Sequence, residues 1–180
     1  VDLPGEGGRT ALIAAAAAGS APVMELLLRA GAALNLADSE GRTALNCAVI
    51  WATRTATLGV SDSEQKILLL LDAGADINHP DKMGRTPLMS SVRSGGGAID
   101  EGNRLPVLRL LLERGADVNL ASRRGRTALM SAAFRGLKET AQLLIQSGAT
   151  IDARDHHGRT ALMNAAEGCF WSYRRAGYIV

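Results

Sequence analysis

Five copies of one short string, Gly-Arg-Thr-Ala/Pro-Leu, run in phase along this 180-residue chain and limit its fold more than any other feature. They are Gly8–Leu12, Gly41–Leu45, Gly84–Leu88, Gly125–Leu129 and Gly158–Leu162. A second marker falls between them, a Leu-rich run closed by glycine: Leu26–Leu28 before Gly31, Leu69–Leu71 before Gly74, Leu110–Leu112 before Gly115, and Leu143–Ile145 before Gly148. The Gly-to-Gly spacings are 33, 43, 41 and 33. A unit this short cannot bury both its faces alone, so neighbouring copies must stack into a solenoid.

Each unit reads as two helices. The apolar stretch after each Thr, such as Leu129, Ala132 and Ala133, predicts a small-residue helix that neighbours can approach closely. The Leu-rich run predicts a second helix, ended by Gly31, Gly74, Gly115 or Gly148 in the left-handed conformation. Pro22 and Pro106 sit near first helical turns, and Ser61 with Glu64 has capping-box spacing. With 30 Ala, 20 Gly and 3% aromatic residues, the interior must be filled by Ala, Leu, Val and Ile on close elements. A hydrophobic content of 47% excludes wholesale disorder.

The 33-residue period, the Thr-Ala/Pro-Leu string and turns such as Ala75-Asp76-Ile77-Asn78 and Ala116-Asp117-Val118-Asn119 resemble the ankyrin-repeat family over essentially the whole chain. The resemblance implies an all-α solenoid of helix-turn-helix units with β-hairpin-like turns. One departure matters. The family's signature histidine is replaced by Ile13, Asn46, Met89, Met130 and Met163, so apolar packing is expected in place of its Thr–His hydrogen bond.

The register divides the chain into the end of a preceding repeat (1–7), repeat 1 (8–40), repeat 2 (41–83), repeat 3 (84–124), repeat 4 (125–157) and a partial repeat 5 (158–180). Val1-Asp2-Leu3 aligns with Val118-Asn119-Leu120, so the array is expected to be a piece of a longer one. Repeat 2 carries ten extra residues and repeat 3 eight, placed between first and second helix at about 51–63 and 94–105. Repeat 5 diverges at the equivalent place, 168–175. Extended helix–helix loops are therefore expected in repeats 2, 3 and 5, projecting from one edge of the solenoid.

Catalytic signals are scarce. Gly95-Gly96-Gly97 lacks the Lys-Ser/Thr of a phosphate-binding loop, and no HExxH, GxSxG or CxxC spacing occurs. No cofactor or metal is expected, and the chain is expected not to be an enzyme. Cys47 and Cys169 lie three repeats apart, roughly 25–30 Å at the usual spacing of packed helices, so both should be thiols. Free thiols and the want of a basic leader point to the cytoplasm. A net charge of +2 argues against strong nucleic-acid binding, and no apolar run is long enough for membrane insertion. The ladder Arg9, Arg42, Arg85, Arg126 and Arg159 is assigned to the scaffold, its heads meeting acids such as Asp38, Asp81 or Asp155.

What remains is the surface that varies from repeat to repeat. In ankyrin-like proteins, targets meet the hairpin tips and the concave face formed by the first helices. Carried onto this chain, the tips include Arg123, Arg124, His156 and His157, and the helix positions include Ile50, Trp51, Arg93, Phe134, Arg135, Asn164 and Glu167. Phe170, Trp171 and Tyr173 join them on the loop edge. Trp51, Arg93, Phe134 and Arg135 are the expected centre, since Trp and Arg dominate binding hot spots. The expected function is noncatalytic binding of another protein, as an adaptor, a targeting domain or an enzyme inhibitor. The alternative is a substrate-docking domain of a larger enzyme whose catalytic part lies outside this sequence.

Overall fold

The computed structural model describes residues 1–18, 20–54, 60–93, 102 and 104–175, with the side chains of 60, 61 and 169–175 left outside the description. Its described residues form nine α-helices and no strand. First helices are α1 (Ala11–Ala18), α3 (Ala44–Arg54), α5 (Pro87–Arg93), α7 (Ala128–Arg135) and α9 (Ala161–Arg175). Second helices are α2 (Ala21–Arg29), α4 (Val60–Asp72), α6 (Arg104–Glu113) and α8 (Lys138–Gln146). The first helices stack in one unbroken row, α1 on α3, α5, α7 and α9 in turn. Each second helix leans on its own partner, and α2 packs on α4 as α6 packs on α8.

Each threonine of the repeated string starts a first helix. Thr10, Thr86 and Thr127 accept the amide N–H three residues on, each at 3.3 Å, which satisfies a donor the helix start would otherwise leave open. The glycines expected to end second helices do so: Gly31, Gly74, Gly115 and Gly148 have φ of 79, 93, 88 and 88°. Around Gly74, the Gly74 amide donates to Leu71 O at 3.0 Å and the Ala75 amide to Leu70 O at 2.9 Å, the two bonds of a Schellman ending.

Two hydrogen-bond ladders join the repeats. At the hairpin tips, the amides of Ser39, Lys82, Arg123 and His156 donate to Gly7, Glu40, Met83 and Arg124 carbonyls at 2.8, 2.9, 2.9 and 3.1 Å. At the turns after the second helices, the side chains of Asp2, Asn35, Asn78 and Asn119 accept the amides of Ala33, Asp76, Asp117 and Thr150 at 3.0, 3.0, 3.0 and 2.8 Å. The Asn of each Gly-Ala-Asp-x-Asn turn is thus a clasp onto the next repeat.

The core is a stack of small and branched side chains, as expected. Leu12, Leu45, Leu88 and Leu129, one in each of repeats 1 to 4, are buried, with Ala16, Ala48 and Ala132 beside them, whereas Leu162 of repeat 5 is exposed. Apolar substitution at the histidine position holds for the buried Ile13, Met89 and Met130, but not for Met163, which no following repeat covers among the described residues and which is exposed. Asn46 departs from it: fully buried, its Oδ1 accepts the Thr43 hydroxyl at 2.9 Å, so one repeat keeps a polar link.

Two expectations about loops are corrected. In repeat 2 much of the insertion is helix: α3 has 11 residues against 8 in α7, and α4 has 13 against 9 in α8. Ser61 consequently lies inside α4 and does not cap it. The segment 168–175 is not a loop either, since α9 runs on to Arg175. Gly168 lies within α9 where the helix comes closest to α7; a Cβ there would clash with the Phe134 carbonyl oxygen. The insertion of repeat 3 lies largely outside the described residues. The inserted repeats also bury two cations: Lys66 pairs with Asp62 at 3.3 Å, and Arg104 Nε donates to Ser91 O at 3.0 Å, beside α5.

The tip glycines carry both a conformation and a fit. Gly84 has φ 73°, and a Cβ there would lie 2.6 Å from the Arg123 amide nitrogen. Gly158 shares the φ of 73° but has nothing within 4 Å. Gly158→Ala is therefore expected to cost about 1 kcal/mol, the left-handed strain alone. Gly84→Ala adds a backbone clash and is expected to cost about 2 kcal/mol or more. Equal shifts of the two urea midpoints would refute this account of the tips.

Candidate functional site

Each hairpin tip ends in an arginine of the Gly-Arg-Thr string, and the residue four positions earlier decides what that arginine does. In repeat 2, Asp38 Oδ1 accepts the amides of Glu40 and Arg42 at 2.9 Å each. Its Oδ2 accepts Arg42 Nε at 2.9 Å, with Nη2 at 2.7 Å. Asp81 holds Arg85 in the same way, with Nε at 2.7 Å and Nη2 at 2.6 Å. Asp155 holds Arg159 at 3.1 and 3.0 Å, and Glu167 on α9 takes the remaining Nη1 at 2.7 Å. These fork-on-carboxylate pairs turn a charge into scaffold. For Arg42, Arg85 and Arg159 the scaffold assignment stands.

Burial pushes the Asp155 carboxyl up, but the Arg159 amide, the Arg159 guanidinium and the His157 amide outweigh it and hold the group down to about 2. Asp38 is also lowered, burial again being overcome by hydrogen bonds from Arg42 and Glu40. Arg42 is correspondingly raised by its hydrogen bond to Asp38.

Repeat 4 breaks the pattern. Ser122 stands where the tips of Arg42, Arg85 and Arg159 have Asp, and its hydroxyl accepts the Arg126 amide at 3.3 Å. The Arg126 guanidinium has no carboxylate within hydrogen-bond length: its Nε makes only a loose ion pair with Asp155 Oδ2 at 3.8 Å and is buried without a hydrogen-bond partner. The position that carries Glu167 in repeat 5 is Phe134 here. Arg126, Arg124, Arg93 and Arg85 then line one pocket of about 120 Å³, together with Met83, Met89, Ser122 and Ser131. An adjoining recess of about 200 Å³ is lined by Arg42, Ile50, Arg85, Ser90 and Arg93. Arg93 stands between the two. Its guanidinium is pushed below its ordinary value by burial and then by the charges of Arg85, Arg126 and Arg135.

The expected surface residues divide accordingly. Arg93 and Arg124 meet in the first pocket, and Ile50 in the second. Half-buried Arg135 donates to the Arg93 carbonyl, joining α7 to α5, and burial lowers its pKa. Trp51 and Phe134 are half-buried on α3 and α7 and line neither pocket. Arg123, His156 and His157 are exposed at the tips, where the Arg123 and His156 amides carry the inter-repeat ladder. Glu167 is half-buried and committed to Arg159. Asn164 is corrected: at 1% exposure, with its Nδ2 donating to Thr160 O at 2.9 Å, it belongs to the interior and offers no surface. Phe170, Trp171 and Tyr173 sit on α9, and their side chains lie outside the described residues. Cys47 is a free, buried thiol whose pKa burial pushes up; Cys169 is on α9, its side chain outside the description.

Arg126 is the site residue that the sequence reading assigned to the scaffold; Arg85 lines the same pocket while its guanidinium stays on Asp81. The signal for Arg126 was present in the register: Asp38, Asp81, Ser122 and Asp155 align, and one of the four lacks a carboxylate. Among the described residues no group of His, Cys, Asp or Glu could hold a metal ion, and no helix is long and apolar enough to cross a membrane.

The family described as ankyrin repeats in three copies matches residues 2–58 and 96–174. A comparison with curated proteins returns no match.

The tip carboxylates make stability depend on acid. A group lowered to about 2 in the folded chain, against about 4 in the unfolded one, stabilises fully above the unfolded value and loses that contribution as pH falls through the folded one. Urea midpoints are expected to drop steadily from about pH 5 to pH 2. Asp155→Asn should be less stable at pH 7 and show a shallower drop over that window. A variant slope as steep as the parent's would remove Asp155 from the acid response.

Proposed function

The chain belongs to the ankyrin-repeat family, whose arrays are generally protein–protein interaction modules, and we propose that it is a noncatalytic module that binds a partner protein on its concave face. The observation that carries this reading is the row of first helices from α3 to α7. Arg93, Arg124 and Arg126 converge there on recesses that the scaffold does not need, with half-buried Trp51 and Phe134 on the same helix row. Scaffold positions of these helices are small or apolar, so charged and aromatic side chains here support recognition rather than packing.

The stacked repeats fix the recesses before any partner arrives. The inter-repeat ladders hold α3, α5 and α7 in register, so little ordering entropy stands against association. Arginine forks and an aromatic side chain then act as anchors, while the surrounding tips shape the rim. The buried free thiol of Cys47 is compatible with a reducing compartment, in line with a cytoplasmic setting.

Single alanine substitutions at Trp51, Arg93, Phe134 and Arg135 test the face. At least two should weaken binding by about tenfold or more in quantitative pull-downs, with thermal unfolding close to the parent's. Undiminished binding by all four folded variants would refute the reading.

A further inference from the structure

We infer that the pocket between repeats 3 and 4 receives a carboxylate side chain of the partner protein, which takes the place that Asp38, Asp81 and Asp155 fill in the tips of Arg42, Arg85 and Arg159. This rests on the concave-face reading and gives its anchor a chemistry. The chain itself shows what a guanidinium at this register binds. Arg42, Arg85 and Arg159 each grip an aspartate through Nε and Nη2, at 2.6 to 3.1 Å. Ser122 removes that carboxylate from the tip of Arg126 and leaves its buried Nε without a hydrogen bond, the loose ion pair to Asp155 at 3.8 Å being its nearest acid. Asp155 does not substitute, because both its oxygens already accept from Arg159 and one also accepts the His157 amide.

The rest of the pocket suits the same ligand. Four arginines line it with no acid among the lining residues; Asp81 offsets Arg85, and one incoming negative charge relieves the repulsion that still falls on Arg93 from its arginine neighbours. Ser122 accepts the Arg126 amide, which leaves its own hydroxyl hydrogen to donate. Met83 and Met89 supply an apolar wall for a methylene stem. The volume, about 120 Å³, lies well below the roughly 300 Å³ at which small-molecule pockets begin. It admits one side chain. Arg9 also lacks a tip aspartate, Gly5 standing there, but its recess contains Glu6 and Asp38 and so carries its own acid.

The test uses the full 180-residue chain, with arginine Nε–Hε NMR resonances as the readout and the Arg126 signal assigned by Arg126→Gln. An eight-residue glutamate peptide should shift Arg126 and Arg93 saturably, and the matching glutamine peptide should shift neither. Ser122→Asp rebuilds the internal pair and should weaken the glutamate peptide by about tenfold or more while preserving the fold. Ser122→Asn, similar in size but uncharged, should stay within about threefold of the parent. An unmoved Arg126, or glutamate binding undiminished in Ser122→Asp, would overturn the assignment. So would tighter binding of a phosphoserine peptide or inorganic phosphate that displaces the glutamate peptide. The pull-down with Trp51→Ala and Phe134→Ala, both outside the pocket, reports on the face independently, so the two ideas fail separately.

Discussion

Everything in this molecule depends on one backbone contact repeated between hairpin tips. An amide of each tip donates to a carbonyl of the tip before it, four times from Ser39 to His156. The contact requires a glycine with positive φ at Gly41, Gly84 and Gly125, because the following tip approaches to within 2.6–2.9 Å of where a Cβ would stand. Once the tips are locked, the Thr caps launch the first helices in parallel. The Asn clasps hold the far ends at the same spacing. Small residues on the first helices are then a geometric consequence, since helices tied this closely leave room for Ala and little else between them.

That division of labour explains why chain length varies only where it does. The ladders fix the tips and the turns after the second helices, whereas the junction between first and second helix carries no such repeated ladder among the described residues, only single links such as the Ala21 amide donating to Asp62 Oδ1 at 3.3 Å. Repeat 2 absorbs its insertion there by lengthening α3 and α4, and α9 simply continues to Arg175. The buried Lys66 and Arg104 belong to the same inserted repeats. Their long cationic side chains are buried with their heads on Asp62 and the Ser91 carbonyl, Arg104 at the register position that Leu137 fills in repeat 4.

The sequence made much of this legible. Gly, Thr and Leu-Leu-Leu each carry a local physical meaning, so helix starts, helix ends and the repeat phase could be read directly. Less legible was what depends on contacts across repeats. Gly168 reads locally as a helix end, but its missing side chain serves the approach of α7. Asn164 reads as a variable surface position, but α9 turns it inward. Asn46 looks like a lost histidine and keeps a hydrogen bond to Thr43. The arginine ladder misled by its regularity: identical residues in identical motifs had different partners, and the difference lay four positions upstream.

The departure at Ser122 also shows why such a site can arise without cost to the fold. Its tip keeps the same backbone bonds as the others, Ser122 N–H to Arg126 O at 2.9 Å and Gly125 N–H to Ser122 O at 2.8 Å. Arg123 still donates to Met83 O at 2.9 Å, so the ladder passes through repeat 4 unbroken. The Asp–Arg clasp is therefore not what shapes the turn; glycine and the backbone are. A side-chain pair that adds stability without setting geometry can be opened in one repeat while its neighbours stay closed. The guanidinium it releases is already aimed, by a rigid tip, at the groove between α5 and α7. In this array a binding group comes from removing one carboxylate, and the scaffold supplies its orientation.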